Sequence, residues 1–396
     1  NENNENNENN ENNENNENLL ITNKEILRMF NSYGIDYDNN YSNPLFDINY
    51  LNNFKKELEE EVTIIIKQPI EKKSVIIDSY IENLNDLLKI IEENPLDDSI
   101  KYNIDVKALH NIKKPLLELS NMVGMNELKN SVVDQILYFI QELHKTSSQQ
   151  GNDFMHTVIY GPPGTGKTEI AKIIGKIFSK LGILKKNKFK KATRADLIAG
   201  YLGQTAIKTK DLVESCLGGV LFIDEAYALG NSEKRDSFAK ECIDTLCECL
   251  SDNKDNLMVI IAGYEEELDK CFFSYNQGLT SRFTWRFKTD DYNSEELKLI
   301  FNKKVIDAGW EFGEEVKSSW FEKYLDYFKY YGRDMETLFA KTKIAHSRRI
   351  FGKDEKCRKK IILKDIEKGL EIYLKNDEVK NRKNNRNEHI LNSMYN

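Results

Sequence analysis

Residues 157–168 read Thr-Val-Ile-Tyr-Gly-Pro-Pro-Gly-Thr-Gly-Lys-Thr. An apolar strand pattern, Thr157 to Tyr160, runs straight into Gly161-Pro162-Pro163-Gly164-Thr165-Gly166-Lys167-Thr168, which fits G-x4-G-K-[ST], and a helical pattern follows from Glu169 to Lys180. Glycines let such a loop curl until its N–H groups point at phosphate oxygens, and the helix N-terminus behind it adds positive potential. Lys167 is placed to reach β- and γ-phosphates, and the Thr168 hydroxyl to coordinate Mg²⁺. A chance glycine-rich turn is the alternative reading; strand, loop and helix in register count against it.

The second constraint is Val220-Leu-Phe-Ile-Asp224-Glu225, four apolar residues closed by two acids. In a parallel sheet both carboxylates arrive at the C-terminal edge of a buried strand, beside the phosphate loop. Asp224 is then expected to hold hydrated Mg²⁺ and Glu225 to polarise the attacking water as general base. A strand that merely ends in soluble acids is the bland alternative.

The intervening chain supports such a sheet. Apolar strands at Thr157–Tyr160, Phe189–Thr193, Val220–Ile223 and Met258–Ala262 alternate with helical stretches at Glu169–Lys180, Ala206–Cys216 and Asp236–Leu250, and Thr284–Phe287 adds a further strand. That alternation predicts an α/β fold, a parallel sheet between helices. From Ser294 the pattern turns helical, and Trp310, Trp320 and the aromatic run Phe321–Tyr331 are read as the core of a helical subdomain. Before the sheet, Ile77, Tyr80, Ile81, Leu84, Leu87, Leu88 and Ile91 recur at helical spacing up to Pro95, and Val62–Ile66 is a short strand or extended linker. The expected organisation is a disordered Asn/Glu repeat over 1–18, a mostly helical arm over 19–115, a nucleotide-binding α/β domain over 116–290, a helical lid over 291–375 and a polar, basic, fraying tail over 376–396.

Composition trims the alternatives. Lys and Arg number 57 against 65 Asp and Glu, a net charge of −8, and six of those acids sit in the Asn-Glu-Asn repeat of residues 1–18. A bulk-charge nucleic-acid coat is disfavoured by that balance. The basic cluster His346, Arg348, Arg349, Lys353, Lys356, Arg358, Lys359 and Lys360 is read first as solvated lid surface or a subunit contact, and second as a nucleic-acid patch. No apolar run nears the ~18 residues of a membrane span. With no apolar signal segment at the start either, an intracellular, cytoplasmic location is expected. Six cysteines lack paired zinc-ligand spacing and read as reduced thiols.

The two motifs together resemble an AAA+ ATPase. Arg194-Ala-Asp-Leu-Ile-Ala-Gly-Tyr-Leu-Gly-Gln-Thr-Ala-Ile-Lys-Thr209, Gly218-Gly-Val-Leu-Phe-Ile-Asp-Glu-Ala-Tyr-Ala-Leu229, Ile261-Ala-Gly-Tyr264 and Gly278-Leu-Thr-Ser-Arg-Phe283 resemble its CbbX/CfxQ branch, which includes the red-type Rubisco activase and the stage V sporulation protein K. The likeness runs from about Leu116 to about Leu374. It implies ATP and Mg²⁺ as cofactors, a homo-oligomeric ring (a hexamer in the family) and an unidentified protein client. Tyr201-Leu202-Gly203 matches the pore loop that grips polypeptide, Arg282 the arginine finger offered to a neighbouring subunit, with Arg286 as runner-up, and Val123-Gly124 the segment that cradles adenine. Two places depart from the superfamily pattern. Gly263-Tyr264 stands where many members place a water-orienting Asn, a substitution that this branch itself shows. In the lid, Gly332-Arg333-Asp334-Met335 puts Met335 at the usual arginine position, so lid motion is muted or relies on another residue, with Arg333 the nearest.

Three rivals stay open from the sequence alone. They are a nucleic-acid-dependent motor or loader, a small-molecule kinase built on the same phosphate loop, and a nucleotide-gated scaffold with little turnover. The intact Asp224-Glu225 pair argues against the last.

Overall fold

In the computed structural model, residues 72–145, 152–201, 203–233, 235–380 and 382 are described. They begin with β1 (Lys73–Val75), α1 (Leu84–Glu93) and β2 (Ile100–Tyr102), the two strands pairing in parallel. The apolar series from Ile77 to Ile91 does not make one helix. Its first part is non-helical, Asn103 Oδ1 accepting from Ile77 N at 2.8 Å and Asn103 Nδ2 donating to Ile77 O at 3.2 Å, and Tyr80 is 86% exposed. Helix begins only where Asn83 and Asp86 cap one another's backbone N–H groups, a reciprocal arrangement that satisfies donors the first turn leaves orphaned.

Next come α2 (Val106–Ser120) and α3 (Asn126–Ile140). The boundary read after Pro115 falls inside α2, where Pro115 itself is buried. The helix continues because it packs on the sheet domain. Leu109, Ile112 and Leu116 share a core with Ile173 and Ile177, and Lys176 Nζ bonds Glu118 Oε2 at 2.7 Å. The readings made for residues 1–18 and for Val62–Ile66 lie outside the described residues.

The sheet strands are β3 (Thr157–Tyr160), β4 (Phe189–Ala192), β5 (Val220–Ile223), β6 (Met258–Gly263) and β7 (Trp285–Lys288), in spatial order β4-β5-β6-β3-β7 and all parallel. Between them run α4 (Lys167–Lys180), α5 (Arg194–Leu197), α6 (Thr205–Glu214), α7 (Ser237–Asp252), α8 (Glu265–Cys271) and α9 (Gly278–Arg282). The central strands β3, β5 and β6 are buried along their length, as a parallel sheet covered on both faces requires. Strand alternation sends Ile159, Phe222 and Ile260 into one core, with α2 to α4, and Val158, Leu221 and Ile261 into the other, with α6 and α7. This is the α/β P-loop architecture that the motifs imply.

After the sheet come α10 (Ser294–Asp307), β8 (Glu311–Phe312), α11 (Ser318–Lys323), α12 (Tyr331–Ile350), β9 (Lys360–Ile361) and α13 (Leu363–Tyr373). Phe301, Phe321 and Phe328 are wholly buried here, with Trp310 and Trp320 packed against the same core. Part of the basic cluster turns inward. His346 is 1% exposed and meets Asp365 at 3.0 Å, and Arg349 donates to the other Asp365 oxygen at 2.7 Å. Burial would raise the Asp365 pKa, but the bonds from Arg349 and His346 hold it below the usual carboxylate range. The tail expected to fray from Asn376 is built in as far as it is described. Residues 377–380 are helical, and Arg382, 8% exposed, reaches Asp334 because that buried carboxylate needs a counter-charge. All six cysteines are free thiols, and among the described residues no helix is long and apolar enough to cross a membrane.

Candidate active site

Three parallel strands end side by side at the site. β3 runs into the 161–168 loop, β5 into Asp224-Glu225 and β6 into Gly263-Tyr264, with Gly161 N donating to Gly263 O at 3.1 Å. The loop needs its glycines here. Gly164 has φ +79°, and a Cβ on it would stand 2.0 Å from the Tyr330 carbonyl oxygen. Gly166, at φ +83°, opens α4 in a left-handed conformation that a side chain would strain. Thr165 is inward-facing and 1% exposed, its hydroxyl donating to Pro162 O at 2.9 Å.

The resulting cleft has a volume of ≈ 310 Å³. Gly161, Pro163, Gly164, Gly166, Lys167 and Thr168 line one side, and Asp224, Glu225, Tyr227 and Tyr264 another. The lid closes it with Lys304, Gly332, Arg333 and Glu336. Lys167 Nζ folds back onto the carbonyls of Gly161 and Pro162 at 2.9 and 2.8 Å. Burial lowers its pKa, Asp224 and Glu225 pull it back up, and Arg333 pushes it down again. The Thr168 hydroxyl lies 3.5 Å from Asp224 Oδ2. A hydroxyl and a carboxylate converging beside a phosphate loop form the hard-oxygen donor set that suits Mg²⁺.

Glu225 adopts φ 51°, a left-handed conformation uncommon outside glycine, and starts the tight turn Ala226–Leu229. Backbone strain of this kind gathers at functional positions. Burial raises the pKa of both Tyr227 and Tyr264, and the Glu225 carboxylate adds to it. Their rings sit 6.1 Å apart, so both reach the cleft as neutral hydroxyls able to donate.

Met335 is fully buried in the lid core, whereas Arg333 lines the cleft. Arg282 does not line it. Its Nε donates to Ser251 Oγ at 2.7 Å and its Nη1 to Gly278 O at 2.8 Å. Arg286 does not line it either, being bonded to the Tyr160 hydroxyl at 2.8 Å. Val123 and Gly124 do not line the cleft; a Cβ on Gly124 would meet the Glu296 carboxylate at 2.6 Å and the Tyr292 ring at 3.0 Å. The neighbouring Met122 methyl would be 3.2 Å from a Cβ on Gly166, and Lys129 Nζ holds Met122 O at 2.6 Å. Tyr201 is 74% exposed, and a Cβ on Gly203 (φ +75°) would meet nothing within 4 Å; Leu202 lies outside the described residues.

Sequence reasoning missed Lys191, whose Nζ is 2.7 Å from Asp224 Oδ2, and the cleft-lining pair Lys304–Glu336 at 3.2 Å. It also missed Arg194, which donates to the carbonyls of Ala228 and Leu229 and pairs with Asp236 at 2.6 Å, tying the helix before Tyr201 to the turn after Glu225. A polar residue near the end of a strand adjacent to β5 was the available signal for Lys191, but only the strand order makes it readable.

A family model described as "ATPase family associated with various cellular activities (AAA)" matches residues 157–288. The putative cfxQ-like protein R730 of Acanthamoeba polyphaga mimivirus is 40% identical over 284 residues, 70% of this chain and 69% of that protein. Stage V sporulation protein K of Bacillus subtilis (strain 168) is 37% identical over 214 residues, 53% of this chain and 66% of that protein. Among solved structures, the FIGL-1 AAA domain in complex with ADP aligns with a TM-score of 0.47 and 19% identity, covering 64% of this chain and 83% of that one.

Proposed function

The chain belongs to the CbbX/CfxQ family of AAA+ ATPases, and on that footing we propose that it is a ring-forming, Mg²⁺-dependent ATPase whose turnover remodels or threads a protein client. The observation that carries this reading is the convergence of Lys167, Thr168, Asp224, Glu225 and Arg333 on one cleft.

ATP sits with its phosphates on the 161–168 loop, between the sheet edge and the lid. Lys167 exchanges the carbonyls of Gly161 and Pro162 for β- and γ-phosphate oxygens, and Arg333 supplies the lid's cation in place of Met335. Thr168 and Asp224 would hold Mg²⁺. Mg²⁺ bound there would supply charge neutralisation for the triphosphate. Glu225, held out on its left-handed turn, takes the proton of the attacking water. Tyr264 donates its hydroxyl toward that water, the part an Asn plays in other members.

Arg282 acts on the nucleotide of the neighbouring subunit after releasing Ser251 and Gly278, and contributes ~10³–10⁵ in rate. A monomer is therefore nearly inactive, and a hexameric ring is the natural assembly. Tyr201-Leu202-Gly203 grips the client by non-directional apolar contact, suited to sequence-tolerant threading. Val123-Gly124 borders the adenine. The inward turn of His346 and Arg349 takes two side chains out of the cluster that a nucleic-acid reading would need.

The test is steady-state ATPase activity against protein concentration, with Glu225→Gln as control. Specific activity that rises with concentration and vanishes in the control is the expected result. Activity flat with concentration, or undiminished in Glu225→Gln, overturns the assembly-dependent mechanism.

A further inference from the structure

The end of β5 carries a charge that the ATPase reading does not use. β4 lies beside β5 in parallel register, Lys191 opposite Phe222 and Ala192 opposite Ile223. Residues two apart along a strand share a face, so the Lys191 stem runs over Phe222 toward Asp224. Its ammonium stands 5.9 Å over the Phe222 ring and 2.7 Å from Asp224 Oδ2. That oxygen is the one the Thr168 hydroxyl approaches at 3.5 Å. The ammonium and any divalent cation held between Thr168 and Asp224 would therefore draw on the same carboxylate oxygen.

We propose that Lys191 is a tethered cation that competes with the divalent metal for Asp224, and so sets how much metal the nucleotide-bound protein needs. The inference rests on the reading of Asp224 as a metal-holding residue. Two features make Lys191 a competitor rather than a fixed strut. Its side chain is 47% exposed on a flexible four-carbon stem, so it can swing into solvent when metal arrives. Asp224 is 24% exposed, so the two positive charges would meet near its carboxylate with incomplete screening. A surface pair of this kind adds little to stability, leaving its effect on the local potential as its main consequence. Lys167 and Arg333 also bring positive charge to this cleft, but both face the loop and lid, and neither bonds Asp224. Lys191 is thus a positioning residue for the metal site, not a catalytic one.

The experiment is a Mn²⁺ titration of the full chain with saturating ADP, free Mn²⁺ being read by electron paramagnetic resonance. Wild type is compared with Lys191→Met, Lys191→Arg and Asp224→Asn. Lys191→Met should bind Mn²⁺ about tenfold more tightly than wild type, the gain expected from removing one nearby like charge. Lys191→Arg, which keeps the charge, should stay close to wild type, and ADP affinity in EDTA should be the same in both. Lys191→Gln gives a second neutral variant should Lys191→Met fold poorly. Unchanged or weaker Mn²⁺ binding in the neutral variants, with Asp224→Asn weakened, overturns the role of Lys191 alone. Binding undiminished in Asp224→Asn overturns the metal reading of Asp224 and this proposal with it.

Discussion

Arg382 reaches back to Asp334, its Nη1 lying 3.1 and 3.0 Å from the two carboxylate oxygens, with both side chains under 10% exposed. The same nitrogen meets Tyr327 O at 2.9 Å, and the guanidinium lies 4.4 Å over the Tyr330 ring. A residue from a polar tail thus closes the base of the lid helix whose second turn contains Met335.

Removing Arg382 leaves Asp334 buried without its counter-charge. Arg382→Ala should therefore destabilise the protein by about 3–5 kcal/mol. Adding Asp334→Asn removes the stranded charge, so the double variant should be more stable than Arg382→Ala. Urea denaturation of wild type, the two single variants and the double variant checks this; a double variant weaker than both singles would mean that Arg382 acts through packing on Tyr330.

Arg333 and Met335 separate chemistry from stability. Arg333→Ala, at an exposed position, should leave the melting temperature nearly unchanged while weakening ATP binding or turnover at least tenfold. Met335→Ala, in the lid core, should cost about 2–5 kcal/mol of stability instead. Nucleotide titration alongside thermal melting distinguishes the two, and ATP affinity untouched in Arg333→Ala would remove it from the phosphate site.

His156 links pH to stability. Burial depresses its pKa to about 4, the Leu250 carbonyl partly opposing and the Arg282 charge reinforcing the shift. Its Nδ1 accepts from Val259 N at 3.1 Å and its Nε2 faces Leu250 O at 3.3 Å, an arrangement for the neutral ring. The unfolded chain takes up a proton near pH 6.5, the folded one only near pH 4. Its contribution is thus full above pH 6.5 and is lost as pH falls toward 4, by about 3 kcal/mol. His156→Gln offers an acceptor and a donor without that titration, so its stability should fall less steeply over this window. Equal slopes for the two proteins would exclude His156 as the source.

Subunit mixing tests the shared site. Lys167→Ala subunits should be inactive through lost phosphate contact and Arg282→Ala subunits through the lost finger. Mixed rings place some intact loops opposite intact fingers, so part of the activity should return. Absence of rescue in rings shown to be mixed would move the finger to another residue, with Arg286 the first to examine.

What could be read in advance follows the range of the interactions. The 161–168 loop and Asp224-Glu225 are legible because each is a local run whose chemistry needs adjacent residues. Strands β3, β5 and β6 are legible because burial on both faces demands continuous apolar runs; β4 and β7, part-exposed and carrying Lys190, Lys191, Arg286 and Lys288, follow from the alternation with helices. The start of α1 was misplaced because hydrophobic spacing continues through Ile77, while the cap is set by two polar side chains, Asn83 and Asp86. Lys191, Arg194 and Arg382 meet partners 33, 42 and 48 residues away, and no local pattern announces such pairs. Polar composition in fact hid Arg382, since a charged tail is ordinarily solvated.

The phosphate loop and the lid meet through Gly332 N donating to Gly164 O at 3.1 Å. Both partners in this joint are main-chain atoms. Both residues are also glycines: a Cβ on Gly332 would stand 2.7 Å from the accepting Gly164 oxygen, and one on Gly164 2.0 Å from the Tyr330 oxygen. The contact between loop and lid thus depends on two positions that no side chain can enter without pushing the two backbones apart, so ordinary substitution at either one acts on the contact itself.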